Sequence, residues 1–155
     1  MKILLAVDGS PYSKKMLAYL VTHSSLFDAG HEYTVFTAQS AVPPRARAAV
    51  GKEIVEKYYA DEAEKVLAPV DKFLQRHGIG AKSFWKVGSP GAAISKLATE
   101  GKFDLVVMGS HGHSAVANLV MGSVATQVLA HCKVPVLMVR YQANITQRDN
   151  VCANA

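Results

Sequence analysis

The stretch Asp104-Leu105-Val106-Val107-Met108-Gly109-Ser110-His111-Gly112 decides how the rest of the chain is read. Leu105 to Met108 is apolar throughout, as a strand covered on both faces requires. It runs directly into a glycine-rich loop. Beyond that loop Val124, Val128 and Leu129 predict a helix, with Ser123 as its expected N-cap. A buried strand, a loop and then a helix form the repeating unit of a parallel sheet with crossover helices.

Working outward, the same unit recurs. Lys2 to Val7 reads as a first buried strand, and Asp8-Gly9-Ser10-Pro11 turns it into a helix, with Ser10 as N-cap and Pro11 at the first helical position. Leu17, Leu20, Val21 and Ser24 share one face of that helix, and Gly30 is its expected stop. Tyr33 to Ala38 is a second strand, rich in β-branched and aromatic residues. Pro43-Pro44-Arg45-Ala46-Arg47 then reads as a loop, because two prolines and exposed charge break any regular pattern. A long amphipathic helix follows on the spacing of Val55, Tyr59, Ala63, Val66, Val70 and Phe73, and Gly78 and Gly80 bracket its end. Ser83 to Val87 is a third strand whose Lys86 marks a sheet edge or a wet face. Ser89-Pro90 opens a short helix carrying Ala93, Ile94, Leu97 and Ala98, and Pro135 to Val139 is the last strand.

Five strands joined by four helical connections make this an α/β chain. The expected layout is a single-domain, Rossmann-like, doubly wound five-stranded parallel sheet with helices on both faces. Residues 1–141 form that domain, and 142–155 read as a polar tail without periodicity.

Composition narrows the function classes. The chain has 155 residues, half of them apolar, which suits one domain with a sizeable core. Its apolar runs are too short to span a bilayer, and the first residues lack the cleavage site of a secretory signal. Two cysteines, Cys132 and Cys152, do not make a disulfide framework, so the cytoplasm is the economical location. The formal charge of +5 is scattered among acids and apolar residues, with no aromatic-interleaved basic stripe; this argues against nucleic acid and for a small anionic ligand. His111, His113 and His131-Cys132 do not reach the four-ligand spacing of a structural metal site. No Gly-x-Ser-x-Gly elbow is present either, and no catalytic residue is assigned.

In a doubly wound sheet, ligands bind beyond the carboxyl ends of the strands where the winding reverses. The loops concerned are Asp8 to Ser10, Gln39-Ser40 and the loop from Gly109. Gly109 and Gly112 allow positive φ and close backbone approach, so N–H groups can surround an anion. Gly122 permits a further approach, and Ser123 stands at a helix start that favours phosphate. The spacing fits neither a Walker A loop nor a dinucleotide fingerprint. Asp8 has two open readings, a ligand contact or a local stabiliser of its turn.

The spacing of Gly109, Gly112, Gly122 and Ser123 resembles the nucleotide-binding pattern of the ATP-binding branch of the universal stress proteins. The likeness runs from Ile3-Leu4-Leu5-Ala6-Val7-Asp8 through Asp104–Gly112 and Gly122-Ser123-Val124-Ala125 to Val134-Pro135-Val136-Leu137-Met138-Val139. It implies a fold of the adenine nucleotide alpha hydrolase type. It implies ATP as ligand, with Mg²⁺, at a site formed by Ala6, Asp8, Ala38, Met108, Gly109, His111, Gly112, Gly122, Ser123 and Val124. Asp8 resembles the acid that contacts adenosine, Ala38 the position whose backbone meets adenine, and Gly112, Gly122 and Ser123 the phosphate grip. Relatives often carry His at the end of strand two, where this chain has Thr37-Ala38. The resemblance further implies a homodimer through the last strand, Val134 to Arg140. The role implied is a nucleotide-dependent stress-response or signalling module; a slow ATPase or autophosphorylating enzyme is the alternative.

Overall fold

The computed structural model describes residues 1–112 and 121–140; His113 and the expected tail lie outside the described residues. The strands are β1 (Lys2–Ala6), β2 (Glu32–Gln39), β3 (Ala81–Val87), β4 (Leu105–Gly109) and β5 (Val136–Val139). The helices are α1 (Pro11–Thr22), α2 (Pro44–Val50), α3 (Lys52–Arg76), α4 (Pro90–Glu100) and α5 (Ser123–His131). All strand pairs are parallel and the sheet order is β3-β2-β1-β4-β5.

The register explains why the sheet is covered on both sides. Leu5 pairs with Val35 on one side and Val107 on the other, while Leu4 lies beside Thr34 and Val106. Strand side chains alternate between faces, so Ile3, Leu5 and Val7 share one face with Tyr33, Val35 and Val107. Met16, Leu17 and Leu20 of α1 and Leu67, Val70 and Leu74 of α3 cover that face. Leu4, Ala6, Phe36, Val106 and Met108 point the other way, under Ile94 and Ala98 of α4 and Ala125 and Val128 of α5. Each large aliphatic side chain removed from water in these layers contributes about 1.5–3 kcal/mol.

Two helix ends show the local chemistry. At the end of α3 the N–H of Ile79 bonds to Leu74 O and that of Gly78 to Gln75 O, both at 3.0–3.1 Å, with Gly78 at φ 71°. This is a Schellman closure, with its glycine in the left-handed region and Ile79 buried near Leu74. At the end of α4 the same pair of bonds runs from Phe103 to Ala98 O and from Lys102 to Thr99 O. Here the left-handed residue is Lys102, at φ 52°. The neighbouring Gly101 is held for space instead: a Cβ there would meet the Phe103 ring at 2.5 Å and Leu97 O at 2.8 Å.

Several local expectations need correction. The segment from Pro43 is not a loop: Pro44 starts α2, where proline's fixed φ suits a first turn, and the helix buries no residue and so shows no periodicity. Helix α1 ends at Thr22, not near Gly30; the Thr22 hydroxyl bonds back to Ala18 O and Tyr19 O, and Ser24 lies beyond the helix. The buried stripe of α3 runs through Leu67 and Leu74, with Val66 and Phe73 only partly covered. Leu129 of α5 is exposed. Strand β3 stands at the sheet edge, consistent with Lys86.

Candidate functional site

From β1 the chain winds one way through β2 to β3 and the other way through β4 to β5, so the reversal falls between β1 and β4. A cleft of about 480 Å³ opens there at the carboxyl ends of the strands. All ten residues singled out from the sequence line it: Ala6, Asp8, Ala38, Met108, Gly109, His111, Gly112, Gly122, Ser123 and Val124. Val7, Ser13, Phe36, Ser40, Pro90, Ile94 and Ala125 complete the wall. Pro90 and Ile94 come from the start of α4, which no spacing motif marks; only the packing of α4 against the sheet brings them in.

The glycines of the candidate site work by close approach rather than by conformation. None of Gly109, Gly112 and Gly122 has φ in the left-handed region, contrary to the expectation for the first two. A Cβ on Gly109 would meet Tyr12 Cβ at 2.9 Å and the Tyr12 backbone at 3.1 Å, so this glycine lets the first turn of α1 sit over the end of β4. A Cβ on Gly122 would lie 3.1 Å from His111 Cα and 3.3 Å from Ser110 O, both backbone atoms. A hydrogen bond from Gly122 N–H to Ser110 O, 2.9 Å, closes these two loop ends together. Ser110 is buried; its N–H bonds to Val139 O and its hydroxyl lies 3.0 Å from His111 Nδ1. The His111 ring packs on Tyr12 with centroids 5.0 Å apart.

Helix α5 begins at the cleft wall. Its N-cap is Gly122 in an extended conformation (φ −72°, ψ 158°), with Ser123 already the first helical residue, so Ser123 is not the cap expected from its hydroxyl. As a glycine, Gly122 itself has no side chain to cap this end. First-turn amides have no acceptor within their own helix, so those of Ser123, Val124 and Ala125 form an electropositive edge on the cleft. Among the described residues lining the cleft, Asp8 is the one carboxylate, and neither Lys nor Arg appears. Asp8 Oδ1 accepts from Ser10 N–H at 2.9 Å and from the Ser13 hydroxyl at 2.7 Å. The lining also includes the apolar Phe36, Ala38, Ile94 and Met108, which pack in one layer with Val124 and Ala125. Apolar lining beside exposed first-turn amides suits a ligand with both an apolar and an anionic part.

A parallel sheet with a switch-point cleft of this kind defines a doubly wound α/β protein whose cleft lies where such sheets bind their ligands. The universal stress protein family is matched by residues 1–140, and the chain belongs to that family. It is 33% identical over 139 residues to the universal stress protein of the QAH/OAS sulfhydrylase 3′ region of Thermus aquaticus, covering 89% of this chain and 97% of that one. It is 27% identical over 139 residues to universal stress protein MJ0531 of Methanocaldococcus jannaschii, covering 90% and 81%. Among solved structures, that of the MJ0577 protein superposes with TM-score 0.77 at 24% identity, over 92% and 97% of the two chains. A universal stress protein in complex with cAMP superposes with TM-score 0.63 at 26% identity, over 90% and 96%. The same fold appears in a family member from Arabidopsis thaliana with AMP bound (14% identity, TM-score 0.66, 97% and 98%) and in one from Archaeoglobus fulgidus in complex with dAMP (20% identity, TM-score 0.60, 89% and 96%).

Proposed function

We propose that this universal stress protein binds an adenine nucleotide in the cleft between β1 and β4 and acts as a nucleotide-dependent stress-response or signalling module. The observation that carries the reading is that apolar lining, the start of α5 and the Gly109–Gly112 loop meet in one cavity. Adenine fits against that lining, and the phosphates face the amides of Ser123 and Val124. The cAMP complex of the relative at 26% identity supports the ligand class. ATP is the preferred form in this reading. Mg²⁺ accompanies it, since the described residues of the cleft lining offer one carboxylate, Asp8, and no Lys or Arg to balance three phosphates. When bound, Mg²⁺ would supply charge neutralisation on the phosphates, while Asp8 meets the adenosine.

The identity of the nucleotide carried by the folded protein tests this. Mass analysis of the small molecules released on denaturation is expected to show an adenine nucleotide at close to one per chain; a protein that emerges empty and cannot be loaded contradicts it. The alternative, slow ATP hydrolysis or autophosphorylation, has no observation specific to it. Steady phosphate release abolished by Gly122→Val would establish it.

The reading extends to assembly. The edge strand β5 carries half-buried Val136, Leu137, Met138 and Val139, and pairing of Val134–Arg140 with a second copy would satisfy that edge. Light scattering at micromolar concentration is expected to give twice the mass of one chain. No helix among the described residues is long and apolar enough to cross a membrane, and the cytoplasm is the proposed location.

A further inference from the structure

Ser13 was not marked by any sequence motif, yet it is the residue through which α1 reaches the cleft. It is the third residue of α1 and buried. Its own N–H bonds to the N-cap hydroxyl of Ser10 at 3.3 Å. At this position a capping box would place Glu or Gln to reach back to the cap's backbone. The Ser13 side chain reaches back further, to Asp8. Its hydroxyl donates to Asp8 Oδ1 at 2.7 Å and accepts from the Asp8 N–H at 3.0 Å. A hydroxyl has one proton and two lone pairs, so this pair of bonds spends the proton on the carboxylate and ties both ends of Asp8 to one atom.

Asp8 is therefore held from its own backbone and from its carboxylate together. Ser10 N–H supplies a second bond to the same oxygen. The other oxygen, Oδ2, is directed to the Gly109–Gly112 loop, since it occupies the space where a Cβ on Gly112 would begin. A rotated carboxylate would either leave Ser13 and Ser10 or press into that loop.

We propose that Ser13 is a positioning residue for nucleotide binding, acting through Asp8: it fixes the carboxylate against Gly112 in the orientation that meets the ligand. The role rests on the nucleotide reading given above. It differs from a purely structural role of Ser13 in α1, because it makes the effect of Ser13 conditional on Asp8.

The test is a double-mutant cycle read by titration calorimetry with Mg²⁺-ATP on the full chain, using Ser13→Ala, Asp8→Ala and the double variant. Ser13→Ala is expected to weaken binding roughly tenfold, the scale of one hydrogen bond to a charged group. In the Asp8→Ala background the same change is expected to have less than a twofold effect. Ser13→Cys, close in size with a weak donor, is expected to recover part of the loss. An equal loss in both backgrounds would overturn the proposal, since Ser13 would then act on the ligand directly or on the fold. A second readout needs no ligand. In Ser13→Ala the Asp8 amide is expected to exchange faster and the Gly112 amide resonance to shift, and an unmoved Gly112 resonance would contradict the link. Failure of the unaltered protein to bind any adenine nucleotide would overturn the underlying reading and this role with it. Binding that survives Ser13→Ala unchanged would overturn this role alone.

Discussion

Oδ2 of Asp8 lies where a side chain on residue 112 would start: a Cβ added to Gly112 would sit 2.5 Å from it. The loops after β1 and β4 are thus packed so that residue 112 has room for hydrogen only.

Gly112→Ala should accordingly act through Asp8. The added methyl displaces the carboxylate from Ser10 and Ser13, at a cost of about 1–2 kcal/mol in stability. The affinity for nucleotide should fall at least tenfold. Denaturant midpoints and titration calorimetry on the same preparation measure the two effects; an unchanged affinity would show that the Asp8 orientation is irrelevant to the ligand.

Ser123→Asp separates helix stability from ligand binding, because the two should move in opposite directions. An acid in the first turn of α5, which has none, interacts favourably with the helix N-terminus and adds about 0.3–1 kcal/mol. The same carboxylate competes with phosphate for the amides there, so ATP affinity should drop tenfold or more while the unfolding temperature rises slightly. Tighter ATP binding in this variant would place the phosphates elsewhere.

Lys102 holds the left-handed position that closes α4. Lys102→Gly relieves an L-residue from that region, where the penalty is about 1–2 kcal/mol, less what glycine loses in chain entropy. A gain of about 0.5–1 kcal/mol is expected from denaturant unfolding, with nucleotide binding unchanged because the site is at the opposite end of the sheet. Destabilisation would show that the Lys102 side chain contributes more than its backbone strain costs.

The strand pattern was legible because buried parallel strands need continuous apolar runs, and Leu105 to Met108 and the run from Ile3 provide them. That Gly109, Gly112, Gly122 and Ser123 line one cleft was legible because they recur at a family spacing. Three features were not legible, for different physical reasons. Helix α2 has no buried face, so nothing in its pattern distinguishes it from a charged loop. The cap of α5 was shifted by one residue, since Gly122 adopts the extended cap conformation that the Ser123 hydroxyl was expected to mark. The Ser13 clamp depends on the trajectory of α1 relative to β1, which spacing alone does not encode.

Tyr33 offers a test of the core independent of any ligand. Burial first, and Asp28 second, push its phenol from the usual value near 10 up to about 12. Its hydroxyl donates to Asp28 O at 2.9 Å. A folded pKa raised above the unfolded one favours the protonated form, so this contribution is complete below about pH 10 and is lost as pH rises through about 12. Tyr33→Phe should lower stability at pH 7 by about 1 kcal/mol through the lost hydrogen bond and flatten the alkaline decline. An identical alkaline profile in the variant would show that another group governs it.

Calorimetric titration of nucleotide-stripped protein with ATP and Mg²⁺ tests the central claim most directly. The expected result is saturable binding of one nucleotide per chain, weakened by Gly112→Ala and by Ser123→Asp. The absence of a binding isotherm at millimolar ATP, with the protein shown to be folded, would contradict it.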